Sequence, residues 1–142
     1  MISPLEIRDT FVFVRSDSTR SDVPERYDEN FHLDSSNKSL SEVYSQIKSK
    51  MKRFKFNPQK YYISIIKEKN FAFILLRRTK MHIVVMLPFK EGKRLIKKHN
   101  ISTLSEGVQN FYNGECFRLT IENKKNLSEV INILKIAAEK SS

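Results

Sequence analysis

Residues 60–89, KYYISIIKEKNFAFILLRRTKMHIVVMLPF, constrain the fold more than any other stretch of the chain. Three runs of β-branched, aromatic and aliphatic side chains are separated by two polar turns, and no other segment is as apolar. In the first run Tyr61, Ile63 and Ile65 alternate with Tyr62, Ser64 and Ile66, the period of two that a strand imposes. Glu68-Lys69-Asn70 forms a turn, since asparagine tolerates left-handed backbone. The second run, Phe71 to Leu76, is apolar on both faces and reads as a central strand. Arg77-Arg78-Thr79-Lys80 makes a basic turn into a third strand, His82 to Leu87, which Pro88 ends. Connections this short join only antiparallel neighbours, so the three strands form a meander.

The flanking segments carry the helical period. Ser39-Leu40-Ser41-Glu42 has the spacing of a capping box, and Leu40, Val43, Tyr44, Ile47, Met51 and Phe54 define one apolar face. Asn57-Pro58 is expected to stop this helix, because proline disfavours helical backbone in the residue before it. Lys90 to His99 reads as a short basic helix with Leu95 and Ile96 inward and Asn100 capping its end. Between 101 and 115, Ser105-Glu106-Gly107 and Asn113-Gly114 signal turns, with Leu104, Val108, Phe111 and Tyr112 spaced for one helical turn. Cys116 to Glu122 alternates again and reads as a fourth core strand. Asn126 with Glu129 is expected to cap a last helix whose buried stripe is Leu127, Val130, Ile131, Leu134 and Ala138. The order is helix, three-strand meander, short helix, strand, helix. It predicts an α+β domain over 39–142: one antiparallel sheet of four or five strands, with the two long helices packed on one face. Residues 1–38 are rich in Ser, Asp, Asn and Arg, and read as a polar arm or linker with a short strand at 10–15. Tyr27, Phe31 and Leu33 break its polarity and are candidates to dock on the core.

Several function classes are disfavoured. A single cysteine, Cys116, provides neither an intramolecular disulfide nor a cysteine zinc site, and its apolar run makes it a buried, inert thiol. No run reaches the roughly 20 apolar residues of a membrane span, and MISPLEIRDT lacks the pattern of a secretory leader. A cytoplasmic protein without membrane partner is expected. His32, His82 and His99 include no pair at the i, i+4 spacing of a helical metal site, and His99 reads as a helix C-terminal residue against the last carbonyls. The nearest approach to a nuclease acid-x-Lys element is Lys67-Glu68-Lys69, better read as a charged hairpin tip. No phosphate-binding glycine loop or nucleophile elbow occurs, so neither an enzyme nor a cofactor is expected.

Charge is the most informative remaining feature. Residues 46–100 carry 16 basic and 2 acidic side chains, against 5 and 9 in residues 1–45. A segment so one-sided is an electrostatic feature suited to phosphate. The candidate contacts are Lys52 and Arg53 after the first helix, Arg77, Arg78 and Lys80 at the second turn, and Lys93, Arg94, Lys97 and Lys98 on and after the short helix. Strand geometry puts the two hairpin tips at opposite ends of the sheet, so these groups need not share one face.

The chain also resembles a known family. Tyr27-Asp28-Glu29-Asn30-Phe31-His32-Leu33 ahead of the first helix, Asn70-Phe71-Ala72, the Leu87-Pro88 strand end and the closing NLSEVINILKIAAEK together resemble a small uncharacterised α+β domain catalogued as a predicted transport protein. That domain is also found as the C-terminal module behind restriction-endonuclease-like nuclease domains. The resemblance covers roughly residues 27 to 140. Where family members carry a Gly-His-Trp/Phe-Gly-Thr-Gly-Asp loop, this chain keeps only the ending, as Phe111-Tyr112-Asn113-Gly114-Glu115. The loop histidine has no counterpart here, and the resemblance supplies no catalytic residue. It implies a stand-alone accessory domain of DNA-processing enzymes. Two functions are therefore carried forward. One is a non-catalytic module that binds nucleic acid, DNA rather than RNA, through the 48–98 basic surface. The other is a module for a nuclease or other protein partner, using the N-terminal arm or a sheet edge.

Overall fold

The computed structural model describes residues 28–34 and 36–140. The expected strand at 10–15 lies outside them. The described chain runs α1 (Glu29–Leu33), α2 (Lys38–Lys50), β1 (Lys55–Pro58), β2 (Ile63–Ile66), β3 (Asn70–Leu76), β4 (Met81–Val85), α3 (Phe89–Leu95), β5 (Asn100–Thr103), α4 (Glu106–Phe111), β6 (Phe117–Ile121) and α5 (Leu127–Lys140). All six strands form one sheet in the order β1-β2-β3-β4-β6-β5, and every neighbouring pair is antiparallel. The α+β architecture follows the sequence expectation, with six strands in the sheet where four or five are expected, β1 and β5 being the edges.

The register sorts side chains onto two faces. Ile63 and Ile65 of β2, Ala72, Ile74 and Leu76 of β3, Met81, Ile83 and Val85 of β4, and Phe117, Leu119 and Ile121 of β6 line up across the ladder and are all buried. Leu40, Val43, Tyr44 and Ile47 of α2 and Val130, Ile133, Leu134, Ala137 and Ala138 of α5 join them in a single core. Each fully buried aliphatic side chain there contributes roughly 1.5–3 kcal/mol of transfer free energy. Both amphipathic stripes thus meet on one face, because neither helix can bury its stripe alone. The other face carries a smaller cluster of Phe73, Val84 and Cys116, partly covered by Tyr62, Leu75, Met86, Leu104 and Tyr112.

Several local expectations are corrected. The side chain of Asn37, not Ser39, caps α2, accepting from the Leu40 N–H at 2.9 Å. The helix ends at Lys50 rather than at Asn57, since Met51 leaves helical backbone at φ −120° and ψ 28°. Phe54 reaches the core from the following turn, edge-on to Phe71 at 5.2 Å. Asn57-Pro58 belongs to edge strand β1, where proline's missing N–H is tolerated. Asn100 opens β5 instead of capping α3. Residues 29–33, read as part of the arm, form a short helix. Asp28 caps it through the Phe31 N–H, and the His32 ring is buried with Nε2 2.6 Å from the Gln59 carbonyl. Lys48 is ion-paired with Glu29.

The last helix is also entered differently from the expectation. Asn126 adopts left-handed backbone at φ 60°, and Glu129 turns away from the cap. Its carboxylate accepts from the Lys97 N–H at 3.0 Å and the Lys98 N–H at 2.9 Å, and lies 2.7 Å from His99 Nδ1. Helix α3 ends at Leu95 rather than at His99, and His99 meets a carboxylate on α5 instead of helix C-terminal carbonyls. The α3–β5 connection is tied to the first turn of α5 by this one side chain.

Candidate nucleic-acid interface

The β3–β4 turn is closed by the Arg77 N–H donating to the Lys80 carbonyl at 2.8 Å. Two further bonds hold it from the side. The Asn37 N–H donates to the Arg78 carbonyl at 2.9 Å, and the Ser36 hydroxyl donates to the Arg77 carbonyl at 2.7 Å. The turn backbone is thus anchored to the α1–α2 link, leaving Arg77, Arg78 and Lys80 exposed on a fixed base. Strand alternation continues Phe73, Leu75 and Arg77 along the face away from the long helices. On that face Leu75 pairs with His82 and Phe73 with Val84, while β6 sets Thr120 beside His82 and Arg118 beside Val84.

His82 lies at the centre of this arrangement. Its Nδ1 is 3.0 Å from Thr120 Oγ1. Burial, together with the positive charges of Arg118, Arg77 and Lys80, pushes its imidazole down from 6.5 to about 4. One cation from β6 and two from the β3–β4 turn therefore act on one ring. Among the described residues Arg77 and Arg118 have no ion pair, and Lys80 has only a loose one to Glu122 at 3.8 Å. The neutral ring gives a pH signature. The unfolded histidine takes up a proton below about pH 6.5 while the folded one resists until about pH 4, so stability falls as pH drops through that window. With screening of a partly exposed ring, the loss is expected to level off near about 2 kcal/mol below pH 4. Urea denaturation of His82→Gln alongside wild type, at pH 7 and pH 4.5, checks this: the variant should lose less, and parallel losses would refute it.

Aromatic rings share this face of the sheet. Tyr62 meets Phe73 edge-on at 4.9 Å, Tyr112 lies tilted on Phe73 at 4.6 Å, and Phe111 meets Tyr112 edge-on at 4.9 Å. Burial raises the phenols of Tyr62 and Tyr112. The support is α4, whose Ser105 side chain accepts from the Val108 N–H at 3.2 Å. Gln109 staples the segment, donating to the Leu104 carbonyl and accepting from the Cys116 N–H at 2.9 and 3.2 Å. Cys116 is buried, and burial lifts its thiol to about 11, which suits a packing role.

The nine basic residues singled out from the sequence fall into three groups. Arg77, Arg78 and Lys80 occupy the turn just described. Lys52 and Arg53 follow α2 at the opposite end of the sheet, where Lys55 pairs with Ile66 beside the Lys67–Lys69 tip. Lys93, Arg94, Lys97 and Lys98 belong to the helix-bearing side, since α3 packs Gly92 against Phe117. Arg94 is paired with Glu91 at 2.8 Å, and the Lys97 ammonium donates to the Lys93 carbonyl at 3.2 Å. Arg118, His82 and Tyr112 were missed. Arg118 and Thr120 stand on the polar side of an alternating strand, but only pairing with β4 puts them beside His82.

Among the described residues no three His, Cys, Asp or Glu side chains stand together as a metal site requires, and no helix is long and apolar enough to cross a membrane. No family model, curated protein or solved structure matches the chain.

Proposed function

We propose that the protein is a non-catalytic module that binds nucleic acid through the open face of its sheet, with Arg77, Lys80 and Arg118 engaging phosphates. The observation that supports this most is the sheet register, which sets Arg118 and Lys80 on the face of His82 at the foot of the Arg77 turn, with Glu122, among the described residues, only loosely against Lys80. Like charges gathered on one face cost the fold through mutual repulsion, and a polyanion relieves that cost while releasing its own counterions. The rigid β3–β4 turn reduces the side-chain ordering that binding requires. The family resemblance points the same way, toward an accessory domain of DNA-processing enzymes. Lys52, Arg53 and the α3 lysines add long-range attraction in this reading and make no contact of their own.

Fluorescence anisotropy with labelled oligonucleotides at 50 and 200 mM salt tests the reading. Wild-type affinity should fall steeply with salt. Combined Arg77→Glu and Arg118→Glu should weaken binding by about 100-fold or more and flatten the salt slope by about two charges. Lys93→Glu with Arg94→Glu, on the opposite side, should change affinity by no more than about threefold through its effect on net charge. Absence of binding at low salt, or equal losses from the two double variants, would overturn the assignment. In that event the competing reading, a protein partner at a sheet edge, takes its place.

A further inference from the structure

We infer that the nucleic acid taken by this face is single-stranded, its bases stacking on the Phe111–Tyr112 end of the aromatic array while its backbone follows Arg77 and Arg118. The inference rests on the proposed nucleic-acid reading and adds the class of strand. Four rings form a continuous series, Tyr62, Phe73, Tyr112 and Phe111, each in contact with the next or, for Tyr62 and Tyr112, 6.2 Å apart. Their exposure is graded. Phe73 is 4% exposed, Tyr62 and Tyr112 are half-buried, and Phe111 is 65% exposed. Core packing accounts for Phe73 and the inner edges of the tyrosines. It does not account for Phe111, which sits outermost on a helix that has no buried residue of its own.

A lone exposed phenylalanine needs no explanation. This one differs because it terminates a braced series built on Phe73, which shares its sheet face with Arg118 and the Arg77 turn. Tyr112 meets it in a T-shaped contact at 84°, and 65% of the residue stays open to solvent. Such a surface is of little use to a duplex, whose base faces are already stacked against each other. A single strand exposes both phosphates and base faces, and aromatic stacking with arginine contacts is how sequence-tolerant single-strand sites are built. The extent of the cations agrees. Arg118 and the Arg77–Lys80 turn are separated by about four residues of strand, roughly 13 Å. That is a length for a few nucleotides and too short for the several-phosphate footprint of a duplex-binding surface.

The chain has five tyrosines and no tryptophan, so tyrosine emission reports stacking directly. The full chain is titrated with a dT 12-mer, an rU 12-mer, a 12-base-pair duplex and heparin, the last a polyanion without bases. Either single strand should bind at least about tenfold more tightly than the duplex and quench tyrosine emission, while heparin should bind without quenching. Phe111→Ala, at an exposed position that leaves the core intact, should weaken single-strand binding about tenfold and leave heparin and duplex unchanged. Arg77→Glu with Arg118→Glu should weaken all four. If the duplex binds as tightly as the single strands and Phe111→Ala is neutral, the single-strand assignment is wrong while nucleic-acid binding stands. If no polyanion binds at low salt, both fall together.

Discussion

Replacing Gly92 by valine is expected to destabilise the fold by about 3 kcal/mol. A Cβ built on Gly92 would lie 2.5, 2.7 and 2.8 Å from three ring atoms of Phe117, well inside van der Waals contact. The ring has little room to retreat. Phe117 is fully buried, pairs with Val85 on one side and Thr103 on the other, and belongs to the main core. Either α3 moves off the sheet or the ring leaves its rotamer, and both open cavities elsewhere. Alanine carries the same Cβ but gains about 1 kcal/mol in helix propensity over glycine, so Gly92→Ala should lose less. Urea midpoints of Gly92→Val, Phe117→Leu and the double variant give the test. The double variant should be more stable than the sum of the single losses implies, with a coupling above about 1 kcal/mol. Additive losses would mean that Gly92 and Phe117 do not touch.

The second large effect is at Glu129, where Glu129→Ala is expected to lose about 3 kcal/mol. The carboxylate is 15% exposed and is the acceptor for the Lys97 and Lys98 N–H groups and the partner of His99, whose side chain is 8% exposed. Truncation leaves two backbone donors and one imidazole without their acceptor, and a buried polar group left unpaired costs more than the bond contributed. Glu129→Gln retains an acceptor oxygen and should lose about half as much. The pH dependence has a definite sign. Burial pushes the carboxyl upward, but the bonds from Lys97, His99 and Lys98 together outweigh it and hold the group below its usual 4.5. A carboxylate with a depressed folded value adds stability above the unfolded value and loses it as pH falls through the folded one. The gap between wild type and Glu129→Ala should therefore be widest above pH 5 and narrow below about pH 4, read by thermal denaturation across that range. A gap that stays constant from pH 7 to pH 3.5 would count against the carboxylate as its source.

How much of this was legible in the sequence depended on how local each signal is. The stripe Leu40, Val43, Tyr44, Ile47 identified α2 and its buried face, because helical spacing is set within a few residues. The alternation Phe117, Leu119, Ile121 likewise identified β6 and the side it buries. Strand β5, Asn-Ile-Ser-Thr, was missed because an edge strand needs only one buried side and is kept short and polar, which hides its period. Strand β1 was missed for a related reason: Asn57-Pro58 signals a break in a helix and an edge strand equally well. Glu129 was assigned to the cap of its own helix because its true partners, Lys97 to His99, lie about thirty residues away.

The candidate site divides along the same line. The excess of positive charge, the basic β3–β4 turn and the polar side of β6 are properties of consecutive residues, and the sequence by itself determined them, along with the α+β class and the two helical stripes. That α3 carries the chain from β4 past one strand position to β5, leaving a slot that β6 fills antiparallel to both, was decided by tertiary structure. Insertion of β6 there puts Arg118 and Thr120 beside His82 and turns three separate charges into one surface. It also sends Lys93, Arg94, Lys97 and Lys98 to the far side. The physical reason is that periodicity is written by each residue's near neighbours. Strand order follows instead from which edges and which apolar faces remain to be covered once the local elements have formed.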